Sequence, residues 1–140
     1  MITAIDTNIL VSLWKGEDKT SALAAAALDS AKADGGLVIC GAVFAELLAY
    51  PKRTESFIYE FCSDTGIAFD WRMDSSIWVA AGRSFQAYTI RRKKQQTDTP
   101  RRILTDFIIG AHAAENGYRL LTFDERIFKT AFPKLKLLNG

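Results

Sequence analysis

Two kinds of apolar pattern alternate along the chain. Short, mostly uninterrupted apolar runs occur at residues 2–5, 37–40, 67–69, 120–122 and 135–138. Strands covered on both faces show no polar alternation, so these runs read as buried strands. Between them, apolar positions return every three or four residues. Ile9, Leu10, Leu13 and Trp14 follow that spacing and stop at Gly16. Ser21 reads as the cap of an alanine-rich helix that reaches residue 33 and ends at Gly35-Gly36. A helix carrying Glu46 follows Gly41 and cannot run through Pro51, which lacks a backbone donor. Residues 54–63 are helical again, and Asp74 reads as the cap of a long helix through Arg91 to Lys94, broken at Asp98-Thr99-Pro100. A last long helix spans residues 102–115 and stops at Asn116-Gly117. The alternation predicts an α/β fold, one domain over residues 1–140, with a mainly parallel five-stranded sheet sandwiched between helices.

Composition narrows the setting. A chain of 140 residues, 49% hydrophobic, buries roughly two-thirds of its unfolded surface and needs no disulfide framework. Cys40 and Cys62 sit in apolar surroundings without CxxC spacing, as expected for reduced thiols in a cytoplasmic protein. The opening residues show no basic leader, and the longest apolar stretch, residues 22–28, falls far short of the ~20 residues a membrane span needs. No membrane association is therefore expected. The net charge of +2 conceals an uneven distribution. Arg91, Arg92, Lys93, Lys94, Arg101 and Arg102 stand within twelve residues that hold one acid, Asp98. That strip carries +5 and leaves −3 on the rest of the chain, a distribution that favours a polyanionic partner.

Open parallel sheets bind ligands beyond the carboxyl ends of their strands. Asp6 and Asp124 stand at two such ends, Glu46 lies on the helix after the second strand, and Asp106 lies one turn into the helix that begins near Arg102. Gly110, four residues on, is expected to leave space beside Asp106. Singly, these acids have ordinary roles as helix caps, turn formers or solvated residues. Together at one sheet edge they would repel one another unless a cation neutralised them. An all-oxygen donor set favours Mg²⁺ or Mn²⁺ over Zn²⁺, and such a centre suits phosphodiester hydrolysis. His112 lies about 120° around the helix from Asp106, which points to a structural role. Packing is the expected role of Trp14, Trp71 and Trp78.

Four segments in order and spacing resemble the PIN-domain ribonucleases, and among them the VapC-type toxins of toxin-antitoxin pairs. They are Ile5-Asp6-Thr7-Asn8, Ala45-Glu46-Leu47, the run from Thr105-Asp106 to Ala113, and Leu121-Thr122-Phe123-Asp124. The resemblance implies a Mg²⁺- or Mn²⁺-dependent endoribonuclease that forms a homodimer and is inhibited by a cognate antitoxin. On it, Asp6, Glu46, Asp106 and Asp124 match the acidic quartet that holds the metal and performs catalysis. Thr7, Asn8 and Thr122 match polar positions that orient it, and the basic strip matches an RNA-binding approach. Asp124, at the strand end, is favoured over its neighbour Glu125 as the fourth acid. Two other readings stand beside this one: a Mg²⁺-dependent phosphatase or phosphoacceptor domain, and a PIN-like RNA-binding module without catalysis. The first would call for a second acid beside Asp6 and a strand-end lysine, neither of which is evident in the sequence.

Overall fold

The computed structural model describes the whole chain except Glu17 and residues 96–102. Arg101, Arg102 and the Asp98-Thr99-Pro100 break therefore lie outside the described residues, and the helix expected to begin near Arg102 begins at Leu104, after the extended Ile103. The elements run β1 (Thr3–Ile5), α1 (Thr7–Lys15), α2 (Lys19–Asp34), β2 (Leu37–Cys40), α3 (Gly41–Leu48), α4 (Glu55–Thr65) and β3 (Ile67–Asp70). They continue with α5 (Ser75–Gln95), α6 (Leu104–Asn116), β4 (Arg119–Thr122), α7 (Glu125–Ala131) and β5 (Leu137–Asn139). All strand pairs are parallel, in the order β3-β2-β1-β4-β5.

The apolar runs became strands because both sides of the sheet are covered. Every residue of β1 and β2 is buried. Crossovers of the right-handed kind that parallel strands use would put α1 to α4 on one face and α5 to α7 on the other. α1 packs on α2, and α7 on both α5 and α6, in keeping with that division, while α3 also meets α6. Phe107, Phe128, Ile9, Leu10 and Leu47 fill the two layers between helices and sheet. Both cysteines are buried and unpaired. Among the described residues no helix is long and apolar enough to cross a membrane.

Two local expectations need correction. Asp18, rather than Ser21, caps α2: its carboxylate accepts from the Ser21 backbone N–H at 2.9 Å. A carboxylate one turn earlier outcompetes the serine because it also meets the positive end of the helix dipole. Asp74 does precede α5, but its side chain is turned to Arg72 at 2.8 Å, and its backbone carbonyl receives the first-turn N–H groups of Ile77 and Trp78. The expected stops hold at Gly16 and Gly117, which take left-handed conformations at φ 68° and 71° that suit a residue without a Cβ.

Candidate active site

Strand order reverses at β1: the chain moves from β1 outward to β2 and β3, then returns to place β4 on the other side. A crevice opens at such a reversal, beyond the strand ends. β1 ends directly at Asp6, and β4 ends at Thr122, two residues before Asp124. An open cleft of about 410 Å³ here is lined by Asp6, Thr7, Asn8, Val11, Glu46, Ala49, Tyr50, Asp106 and Asp124. All four acids singled out in the sequence thus face one cleft, together with two of the three accompanying polar residues.

The third, Thr122, is buried just beneath and ties two acids together. Its hydroxyl donates to Asp6 Oδ2 at 2.8 Å and accepts from the Asp124 backbone N–H at 2.9 Å. Asp6 Oδ1 accepts from the Thr7 N–H at 2.8 Å, so both Asp6 oxygens are oriented. The Thr7 hydroxyl donates to Glu46 Oε1 at 2.6 Å, which links the first turn of α1 to α3. Asn8 Oδ1 accepts from the Phe123 N–H at 3.3 Å and so joins α1 to the end of β4. Together these bonds tie α1, α3 and the end of β4 and hold the Asp6 and Glu46 carboxylates in place before any ligand arrives.

The electrostatics are unfavourable for a bare carboxylate. Asp6 is only 5% exposed. Its pKa is raised to about 6, chiefly because burial disfavours the charged form, with Asp106 and Glu46 adding repulsion against the lowering effect of the Thr122 and Thr7 hydrogen bonds. Among the described residues, no three His, Cys, Asp or Glu side chains are drawn into a ligating cluster, so the acids share the cleft while standing apart. The donors are carboxylate, hydroxyl and amide oxygens, with no thiolate or imidazole in the cleft. That set fits a hard divalent cation, which would relieve the repulsion at Asp6.

The PIN domain profile matches residues 3–133 of this sequence. The chain belongs to the PIN domain family. No curated protein matches it significantly. Solved structures do. VapBC-1 from nontypeable Haemophilus influenzae is 21% identical with a TM-score of 0.67 over 99% of this chain and 98% of that one. FitAcB from Neisseria gonorrhoeae is 18% identical with a TM-score of 0.65 over 99% and 97%. VapBC2 from Rickettsia felis, bound to a DNA fragment from their promoter, is 19% identical with a TM-score of 0.60 over 99% and 98%. At these identities the likeness establishes the fold.

The other residues of the PIN domain singled out in the sequence fall partly where it put them and partly elsewhere. Gly110 leaves no open space beside Asp106: a Cβ there would run into the Phe132 ring and lie 3.1 Å from Phe128 Cδ1. The glycine admits α7 against α6, and the space belongs to the core. Glu125 lies outside the cleft lining and pairs with Lys129 at 3.3 Å, one turn along α7. His112 is 1% exposed, and its Nε2 meets Asp70 Oδ2 at 2.8 Å, fastening α6 to the end of β3. Trp14 packs edge-on against Phe57 and Phe61. Trp71 and Trp78 are each about half exposed, at 53% and 52%. Tyr50 was missed as a cleft residue. It lies beyond α3, which ends at Leu48, so no helical spacing in the sequence marked it.

Proposed function

We propose that this PIN domain is a metal-dependent endoribonuclease that hydrolyses RNA phosphodiester bonds and serves as the toxin of a type II toxin-antitoxin pair. The observation that carries the reading is the cleft itself: four acids at the strand-order reversal, with Asp6 held at a pKa of about 6 by burial and by its acidic neighbours. Asp6, Glu46, Asp106 and Asp124 would hold Mg²⁺ or Mn²⁺. Bound there, the ion supplies an acidified water and offsets charge at the phosphate and leaving oxygen. The chain supplies orientation. Thr122 fixes Asp6 and the Asp124 backbone, Thr7 fixes Glu46, and Asn8 anchors the end of β4.

The basic end of α5 supports RNA as the substrate. Phe85 and Tyr88 lie against Phe107 at 5.2 and 5.3 Å between ring centroids, beside Asp106 in the first turn of α6. Arg91, Arg92, Lys93 and Lys94 begin within a turn of Tyr88 on α5. Phosphates flanking the bond to be cut would reach them, and Arg101 and Arg102 belong to the same strip in sequence. The likeness to the VapBC structures supports an antitoxin partner, and a homodimeric state and a cytoplasmic site of action are proposed with it. Leu23 on α2, 45% exposed, is offered as part of the antitoxin contact.

Incubation of purified protein with end-labelled RNA, with Mg²⁺, Mn²⁺ or EDTA, tests the activity. Internal cleavage with either ion, its loss in EDTA and its loss in Asp6→Asn are expected. RNA left intact under all conditions, with phosphate released from a small phosphoester, would favour the phosphatase reading. RNA bound but uncut would favour the non-catalytic one.

A further inference from the structure

Exposed aromatic rings occur at four places among the described residues: Tyr50, Tyr59, Trp71 and Trp78. Tyr59 and Trp71 are held in a cluster with Phe44 and Phe69, at centroid distances of 5.1 to 5.8 Å. Single exposed rings are ordinary on protein surfaces. Tyr50 differs in its location, because it is the one aromatic residue lining the acidic cleft.

Its backbone is fixed while its ring is open. The Ala49 N–H donates to the Glu46 carbonyl at 3.1 Å and the Tyr50 N–H to the Leu47 carbonyl at 3.2 Å, so the chain leaves α3 through a tight, fully bonded turn. Tyr50 therefore lies just beyond the end of α3, and lines the same cleft as Glu46. Beyond it, Pro51 and Lys52, the latter at φ 65°, turn the chain away. Arg53 closes the turn with its N–H on the Tyr50 carbonyl at 3.3 Å. The Arg53 guanidinium lies 5.1 Å from the Trp14 ring centroid and 4.8 Å from that of Phe57, which pins the turn to α1 and α4. Tyr50 itself is 41% exposed and stacks on no other ring among the described residues.

We propose that Tyr50 is a positioning residue that stacks on an unpaired base of an RNA strand lying in the acidic cleft. The inference rests on the ribonuclease reading above. A base can lie on the ring only when it has left its own stack, so the tyrosine sets the register of the strand in the cleft. Stacking tolerates every base because each has a π face, and the larger purine face gains the most overlap. The hydroxyl is not required, and the ring is.

The test uses short single-stranded RNA carrying 2-aminopurine at successive positions, bound in EDTA so that affinity is read without turnover. Wild type is expected to quench the fluorescence at one or two adjacent positions. Tyr50→Leu keeps apolar bulk but lacks a π face; it should weaken binding roughly 5- to 150-fold, the range for base-aromatic stacking, and abolish that quench. Tyr50→Phe and Tyr50→Trp should restore both, which a merely structural role would not require. With metal present, Tyr50→Leu should raise KM more than it lowers kcat. If wild type cuts RNA and Tyr50→Leu binds it with unchanged affinity and quench, the stacking role is overturned while the nuclease reading stands. If wild type neither binds nor cuts RNA, the ribonuclease reading itself falls.

Discussion

Replacing Asp6 by asparagine should stabilise the metal-free protein while destroying its activity. The carboxyl is 5% exposed, so solvent screens it little, and its pKa stands at about 6 against an ordinary 3.8. A difference of roughly two units corresponds to about 3 kcal/mol between the protonation states. Between about pH 4 and 6 the folded protein binds more protons at this site than the unfolded chain. Stability therefore falls as pH rises through that window and stays reduced above it. Asparagine removes the charge but offers one acceptor oxygen where Thr7 N–H and Thr122 hydroxyl now find two, a loss of about 1 kcal/mol. The net gain at pH 8 is about 1 to 2 kcal/mol, or roughly 3 to 8 °C in Tm for a domain of this size. Thermal melts of both proteins in EDTA from pH 4 to 8 check it. The advantage should be full at pH 8 and vanish by pH 4, where wild-type Asp6 is itself neutral. Equal stability at pH 8, or a difference that does not change with pH, would refute the electrostatic argument.

Three further perturbations separate the architecture from the chemistry. Gly110→Ala forces a methyl group into the Phe132 ring and should cost about 1 to 3 kcal/mol by urea unfolding; no loss would show that α7 moves freely on α6. His112→Ala removes the buried partner of Asp70 and should destabilise by roughly 2 to 3 kcal/mol. The folded variant should keep its kcat, and a collapse of kcat would assign His112 a part in the reaction. Converting Arg91, Arg92, Lys93 and Lys94 to Gln should raise KM with kcat largely intact. It should also reduce the slope of log affinity against log salt by about 0.7 per lost phosphate contact. An unchanged slope would remove the α5 end from the RNA path.

Much of this molecule was legible because a parallel sheet with two covered faces writes itself as apolar runs. β1 and β2 are buried at every position, and no competing alternation obscures them. Asp6 was legible for a related reason: an acid placed directly after such a run stands at a strand's carboxyl end. Gly110 was misread because its meaning lies in Phe132, 22 residues away, and no local pattern announces that ring. The α2 cap was misplaced because Asp18 and Ser21 are both good capping residues, and their mutual hydrogen bond, seen only in the structure, decides between them. Thr7, Asn8 and Thr122 could be picked out, but not their partners, since the bond from Thr122 to Asp6 spans 116 residues. Tyr50 stands next to Pro51, which stops the helix, and nothing in the local pattern marks it as a cleft residue.

The most direct test of the central claim is a calorimetric titration of Mn²⁺ into the metal-free protein at pH 6, in buffers of different ionisation enthalpy. Ion binding at the four acids must ionise Asp6, which is about half protonated at that pH, so the titration should release a fraction of a proton per bound ion. Binding should weaken sharply in Asp6→Asn and Asp106→Asn. Mn²⁺ bound with no proton release, and equally well by both variants, would place the ion elsewhere and contradict a metal centre in this cleft.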